Sequence, residues 1–172
     1  MFDPFESRTS RNIRNQLSEI FISALSKETP ALIGNTVHSL KKTAPDPDHH
    51  YYIDERLRRY NLILTRLPSC NPARDPLETA RLLWNQNLFF ECHEWLEPFW
   101  TKASGPRKKA IQGLIRAAGA FVLLEAGRLS AAESSAQKAI ILVEDHGEEI
   151  RGFHTEKLIR ALKVLSPTTF PD

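Results

Sequence analysis

Cysteine is scarce, with only Cys70 and Cys92 among 172 residues. They fit no CxxC or Cys/His metal spacing, and one pair is too few for a disulfide framework, so a reduced, cytoplasmic setting is expected. No apolar run approaches the ~20 residues that a membrane helix needs. The longest apolar-rich stretch, Ile111 to Ala126, is interrupted by Gln112, Arg116 and Glu125. The opening residues MFDPFESRTS include acids and no apolar core, which argues against a secretory leader. Charge of one sign is also lacking: 23 Lys+Arg against 21 Asp+Glu leave a formal net charge of +2. Such a balance presents no broad positive field, and neither a nucleic-acid nor a membrane partner is expected. Strand signals are absent too, since there is no sustained alternation and no Asn-Gly or Asp-Gly hairpin turn.

What is present is helical periodicity. Ile13, Leu17, Ile20, Phe21, Ala24 and Leu25 recur at steps of three and four across 11–27, the pattern of a helix docking on a core. Leu32, Ile33, Val37 and Leu40 mark a second helix over 31–42. Ile53, Leu57, Tyr60, Ile63, Leu64 and Leu67 mark a third over 52–67, after a break at the two prolines of 43–50. A linker is expected over 68–75. Asp75 with Pro76 and Glu78 then reads as a helix start, and Ser130-Ala-Ala-Glu133 as a capping box opening a helix toward Gly147. A last helix is expected over 155–165. The fold class is all-α: a bundle of helical hairpins over 71–172 with an N-terminal helical extension over 1–70. A faint repeat at an offset of 41 aligns the segments starting at Asn87 and Arg128, and the alanines that follow have the cadence of close-packed helix pairs. Two such hairpins are too few for a solenoid, so a compact bundle is the reading.

All three tryptophans and three phenylalanines fall within residues 84–100: Trp84, Phe89, Phe90, Trp95, Phe99 and Trp100. Rings of this size anchor cores. Among them runs Glu91-Cys-His-Glu-Trp-Leu-Glu97. At 100° per residue, His93 shares a face with Phe89, Leu96 and Trp100, which directs it into apolar surroundings. Glu97 lies one turn beyond, while Glu91 and Glu94 turn to the other side. A His and a Glu one turn apart can share a proton or chelate a metal; the first expectation is a satisfied core histidine and no metal, with His93 and Glu97 the ligand candidates should one bind. The HExxH pattern of zinc proteases is not met, because Glu97 stands where its second His belongs. A further ligand would have to come from another helix, for instance His146 or His154. Apolar burial of the neighbouring Cys92 would raise its pKa and make it inert.

The apolar helix that follows carries two polar residues, Gln112 and Arg116, four apart on one face. Buried polar groups need partners, which suggests Glu97 paired with Arg116, and Gln112 bonded to His93 or Glu94. Gly113 and Gly119 would let a large side chain such as Trp95 or Trp100 lie against this helix. Arg107-Lys-Lys109, just before it, reads as a solvated surface.

The stretch Leu88-Phe-Phe-Glu-Cys-His-Glu-Trp-Leu-Glu-Pro-Phe-Trp100, with Gln112-Gly-Leu-Ile115 and Gly127-Arg128 after it, resembles the family named domain of unknown function 309, over about residues 76–165. The resemblance implies a small all-α domain, found mainly in prokaryotes and plastid-bearing lineages, with no established activity; no cofactor is expected from the sequence. It singles out Glu91, His93, Glu94, Glu97, Trp100, Gln112 and Gly113. Cys92 stands where a small Ala is usual and Arg116 where Gln is common. The function expected first is a non-enzymatic binding or scaffold domain, its His/Glu/Trp motif largely structural, with a protein or small molecule taken in a groove between hairpins. Glu91, Trp100, Gln112 and Arg116 are its binding candidates. The alternative is a hydrolase-like or metal-dependent enzyme in which His93 acts with Glu97 or Glu94 and Gln112 holds substrate.

Overall fold

Pro47, one of the two prolines that read as a break, turns out to stand where a helix begins. Pro suits the first helical turn, where its missing N–H costs nothing and its fixed φ is already helical. In a computed structural model that describes residues 2–27, 31–66 and 76–171, eight helices follow one another and no strand occurs among those residues. They are α1 (Arg8–Lys27), α2 (Ala31–Thr43), α3 (Pro47–Leu64), α4 (Pro76–Asn85), α5 (Phe89–Lys102), α6 (Gly105–Glu125), α7 (Leu129–His146) and α8 (Thr155–Val164), with a 3-10 segment, Gly147–Phe153, before α8. Helix α3 therefore starts five residues ahead of the expected Tyr52, with Asp46 capping it by accepting from the His49 N–H. Helix α6 likewise starts ahead of Arg107-Lys-Lys109, which sit in its first turns behind Pro106. The linker over 68–75 and its Asp75 cap lie outside the described residues.

The chain divides into two compact units, Met1–Ala73 and Arg74–Asp172. In the first, Leu17, Phe21, Ala24 and Leu25 of α1 are buried, as are Val37 and Leu40 of α2 and Ile53, Tyr60 and Ile63 of α3. Phe21 stacks on Tyr60 with centroids 3.9 Å apart. A polar relay is buried alongside: Ser10 Oγ lies 3.0 Å from His49 Nε2, and His49 Nδ1 lies 2.7 Å from Asp46 Oδ1. Both ring nitrogens are thus satisfied, and the relay ties α1 to the start of α3.

The second unit is built from two hairpins, α4–α5 and α6–α7, that turn in the same way. Asn87 and Gly127 both take the left-handed conformation, at φ 53 and 69. The Asn87 N–H donates to Trp84 O and Leu88 N–H to Leu83 O; the Gly127 N–H donates to Leu124 O and Arg128 N–H to Leu123 O. These paired bonds are the Schellman closure of a helix end. The structural repeat thus has an offset of 40, one residue shorter than the sequence alignment suggests. Because each turn is closed from the preceding helix, α7 starts at once at Leu129 with Arg128 as its cap. Ser130 is already inside the helix, so the expected capping box does not form.

Trp84 is fully buried and meets Phe89, Phe121, Phe153 and Phe170 at centroid distances of 5.1–5.9 Å. This five-ring cluster draws α4, α5, α6, the 3-10 segment and the chain after α8 to one point. Trp84 and Phe89 belong to the aromatic centre read from the sequence, whereas Phe90, Phe99 and Trp100 stay half-exposed. Gly113 serves a neighbour other than the expected tryptophans: a Cβ there would meet Val143 Cγ2 at 3.1 Å and Leu142 Cβ at 3.2 Å, so it is α7 that approaches α6 closely. At Gly119 a Cβ would meet only Ser135 Oγ, at 3.9 Å.

Candidate functional site

Helix α5 is fixed on its buried side before anything is displayed on the other. Phe89, Glu91, Cys92, Trp95 and Leu96 are buried. Trp95 Nε1 donates to Pro76 O at 2.9 Å, and Cys92 Sγ donates to Ala80 O at 3.5 Å, so both side chains hold α5 against α4. Burial, with the Glu91 carboxylate adding to it, pushes the Cys92 thiol far above its ordinary range. The thiol is inert, as its apolar setting in the sequence suggests.

The opposite side carries His93, Glu94 and Glu97. His93 Nδ1 lies 3.3 Å from Glu94 Oε1, and His93 Nε2 lies 3.8 Å from Glu97 Oε1. The three side chains are 29%, 39% and 52% exposed. One ligand atom from each falls within 4.8 Å of the others. His93 is thus half-exposed between two carboxylates, not sunk in apolar surroundings. Glu94 does not turn away as the helical wheel suggests: adjacent residues leave a helix about 100° apart, but a glutamate is long enough to curve back to its neighbour's ring. Pro98, inside α5, has no N–H to give the carbonyl four residues earlier, that of Glu94, which leaves this turn looser than its neighbours.

The other candidates lie elsewhere. Glu91 is fully buried. Phe121, stacked on Phe89 at 4.9 Å, marks the side of α6 that meets α5. Gln112 lies about 180° and Arg116 about 140° around the helix from it. No hydrogen bond or ion pair joins their side chains to His93, Glu94 or Glu97 among the described residues, and the Arg116 carbonyl instead accepts from Ser135 Oγ of α7 at 2.9 Å. The expected Glu97–Arg116 pair and the Gln112 bond are therefore not formed. Trp100 is half-buried under Lys108, whose Nζ sits 4.9 Å from the ring centroid. His146 and His154 do not join the cluster, which among the described residues is the one group of three or more potential metal ligands.

Residues 77–134, from α4 into the first turns of α7, match the model of a family described as a domain of unknown function (DUF309). This segment is similar to that family. The match is shorter than the expected 76–165, and it contains every motif residue from Glu91 to Arg116. No curated protein and no solved structure matches the chain. Within the DUF309 segment the motif divides in two, with Glu91 and Trp95 turned into the bundle and His93, Glu94 and Glu97 presented to solvent. No helix among the described residues is long and apolar enough to cross a membrane.

Proposed function

We propose that this chain is a helical binding domain whose DUF309 hairpin takes a divalent transition-metal ion on His93, Glu94 and Glu97. One observation carries the reading: three side chains of ligating type converge within 4.8 Å at a half-exposed position. A first-row ion bound at about 2.0–2.2 Å holds adjacent ligand atoms about 3 Å apart, and exposed carboxylates reach that spacing by rotamer changes alone. One imidazole and two carboxylates suit zinc, manganese, iron, cobalt or nickel. Three protein ligands leave coordination positions open to a small molecule or to a side chain of a partner.

The buried half of the motif supports the scaffold part of the reading, since Trp95 and Cys92 fix the helix that presents the ligands. Cys92, the one nucleophile beside the cluster, is buried and inert, which favours binding over covalent catalysis. A cytoplasmic location belongs to the same proposal, because a free thiol persists in a reducing compartment.

Calorimetric titration of chelator-treated protein with Zn²⁺ and Mn²⁺ tests the site. One ion per chain is expected. His93→Ala should weaken binding by more than about 100-fold, beyond the loss of an outer-shell partner, and Glu94→Gln and Glu97→Gln should each weaken it while the fold persists. Because bound ligands must be deprotonated, affinity should fall as pH falls. Equal binding by His93→Ala, or no binding by the unaltered chain, would overturn the reading.

A further inference from the structure

The chain after α8 lies on the second unit in the manner of a bound peptide. Leu165, at φ 46, turns it out of the helix. From there every carbonyl from Thr168 to Pro171 accepts from a side chain of the folded body. Trp84 Nε1 donates to Thr168 O at 2.9 Å, Lys157 Nζ to Thr169 O at 2.6 Å, Asn85 Nδ2 to Phe170 O at 2.7 Å, and the Arg81 guanidinium to Pro171 O. Asn85 also accepts the Phe170 N–H at 2.8 Å, so one amide side chain reads both the N–H and the C=O of one residue.

A single side chain is inserted. Phe170 is 3% exposed, 5.3 Å from Phe153 and 5.9 Å from Trp84 by ring centroids, with His154 parallel to it. Pro171 also lines a cavity of about 460 Å³, with Arg81, Glu149, Arg151 and His154 among its other walls. Readout of the main chain plus one anchor pocket is how extended peptides are recognised, the backbone bonds giving affinity and the pocket giving specificity.

We infer that this cleft, between α4 and the segment from Gly147 into α8, is a binding site for an extended peptide of a partner protein. Its ligand carries a phenylalanine followed by proline, and the chain's own residues 168–171 occupy the site in cis. The occupant is defined by what the cleft already holds. The side-chain donors ask only for main-chain groups, the pocket asks for one aromatic ring, and Pro167 and Pro171, each with φ held at about −65°, narrow the segment's conformations before it binds. The exposed Arg81 and Lys157 contacts make displacement from the Pro171 side the natural route. Tethering gives the resident segment an effective concentration in the millimolar range, so a partner must either bind tightly or bring several contacts.

The test uses a fluorescent peptide of sequence SPTTFPD and the full chain. Phe170→Ala empties the pocket while leaving Asn85, Trp84 and Lys157 in place, and it should bind the peptide at least about tenfold more tightly than the unaltered chain does. The same peptide with Ala in place of Phe should bind neither. Failure of a folded Phe170→Ala chain to outbind the unaltered one would overturn the proposal. If that variant does not fold, hydrogen exchange on the unaltered chain decides: the Phe170 amide should exchange at least about 100-fold faster than the amides of α6, showing that the segment opens without global unfolding, and equal protection would overturn the proposal. A doubled mass in light scattering, from exchange of this segment between two copies, would assign the cleft to a second copy and also overturn it.

Discussion

Glu55 is clasped by Arg58 and Arg59 at 2.8–2.9 Å, and the two guanidiniums hold its carboxyl at about 2, against an ordinary 4.5. Asp46 is shifted the same way, chiefly by its side-chain bond to His49. A carboxyl with a depressed folded-state pKa stabilises fully above its unfolded value and loses that contribution as pH falls through the folded value. The stability conferred by the Glu55 clasp is therefore expected to be complete above about 4.5 and to fade toward pH 2. Melting curves of the unaltered chain should fall more steeply over that window than those of Glu55→Gln, by a small margin because Arg58 is mostly exposed and solvent screens the pair. Parallel curves would show that the clasp is not retained in solution. The same scale accounts for what the wheel missed at the candidate site. A wheel gives the direction of Cβ, and Glu94 acts through a carboxylate three bonds further out.

Three helix ends in the second unit, those of α4, α6 and α8, share one device, and that device carries its own prediction. Asn87, Gly127 and Leu165 all stand at positive φ after a helix, each followed by a residue whose N–H reaches back five positions. Gly127→Ala places a Cβ in the left-handed region and should cost about 1–2 kcal/mol in urea denaturation. Asn87→Gly, which removes a Cβ from the equivalent turn, should be neutral or slightly stabilising. A Gly127→Ala loss below the resolution of the measurement would mean that the turn relaxes to another closure. At this scale the sequence is readable in part. The helices are legible because apolar residues at steps of three and four leave few alternatives, as at Leu17, Phe21 and Leu25. The start of α3 is misread because proline is both a breaker and a preferred first residue, and only the fold decides which; the start of α6 is read late because Arg107-Lys-Lys109 carry no apolar period to mark them as helical. Gln112 and Arg116 are correctly seen to share a face. Which neighbour that face meets depends on where α5 and α7 settle, and that is tertiary information.

In the Arg74–Asp172 unit taken whole, five elements meet at Trp84, and the largest single contribution to stability should lie there. Phe121→Ala removes a ring that contacts both Trp84 and Phe89 and leaves a cavity that the close-packed hairpins cannot collapse, so a loss of about 3–5 kcal/mol is expected in thermal or urea unfolding. A cost under 1 kcal/mol would mean that the cluster repacks freely. Phe153 and Phe170 complete the cluster from more than thirty residues downstream of Phe121, with no periodic signal to announce them, and for the same reason the docking of residues 168–171 is invisible in the sequence. The placement of all three tryptophans on α4 and α5 has an optical consequence. Trp84 and Trp95 are shielded from water and should emit toward the blue, while Trp95 and Trp100, two and seven residues along the helix from His93, would both lie within quenching range of a paramagnetic ion held there. If the proposed ion binds, the protein's intrinsic fluorescence would thus report it without a label, Trp84 on α4 following the integrity of the bundle and the two tryptophans of α5 dimming as the cluster fills.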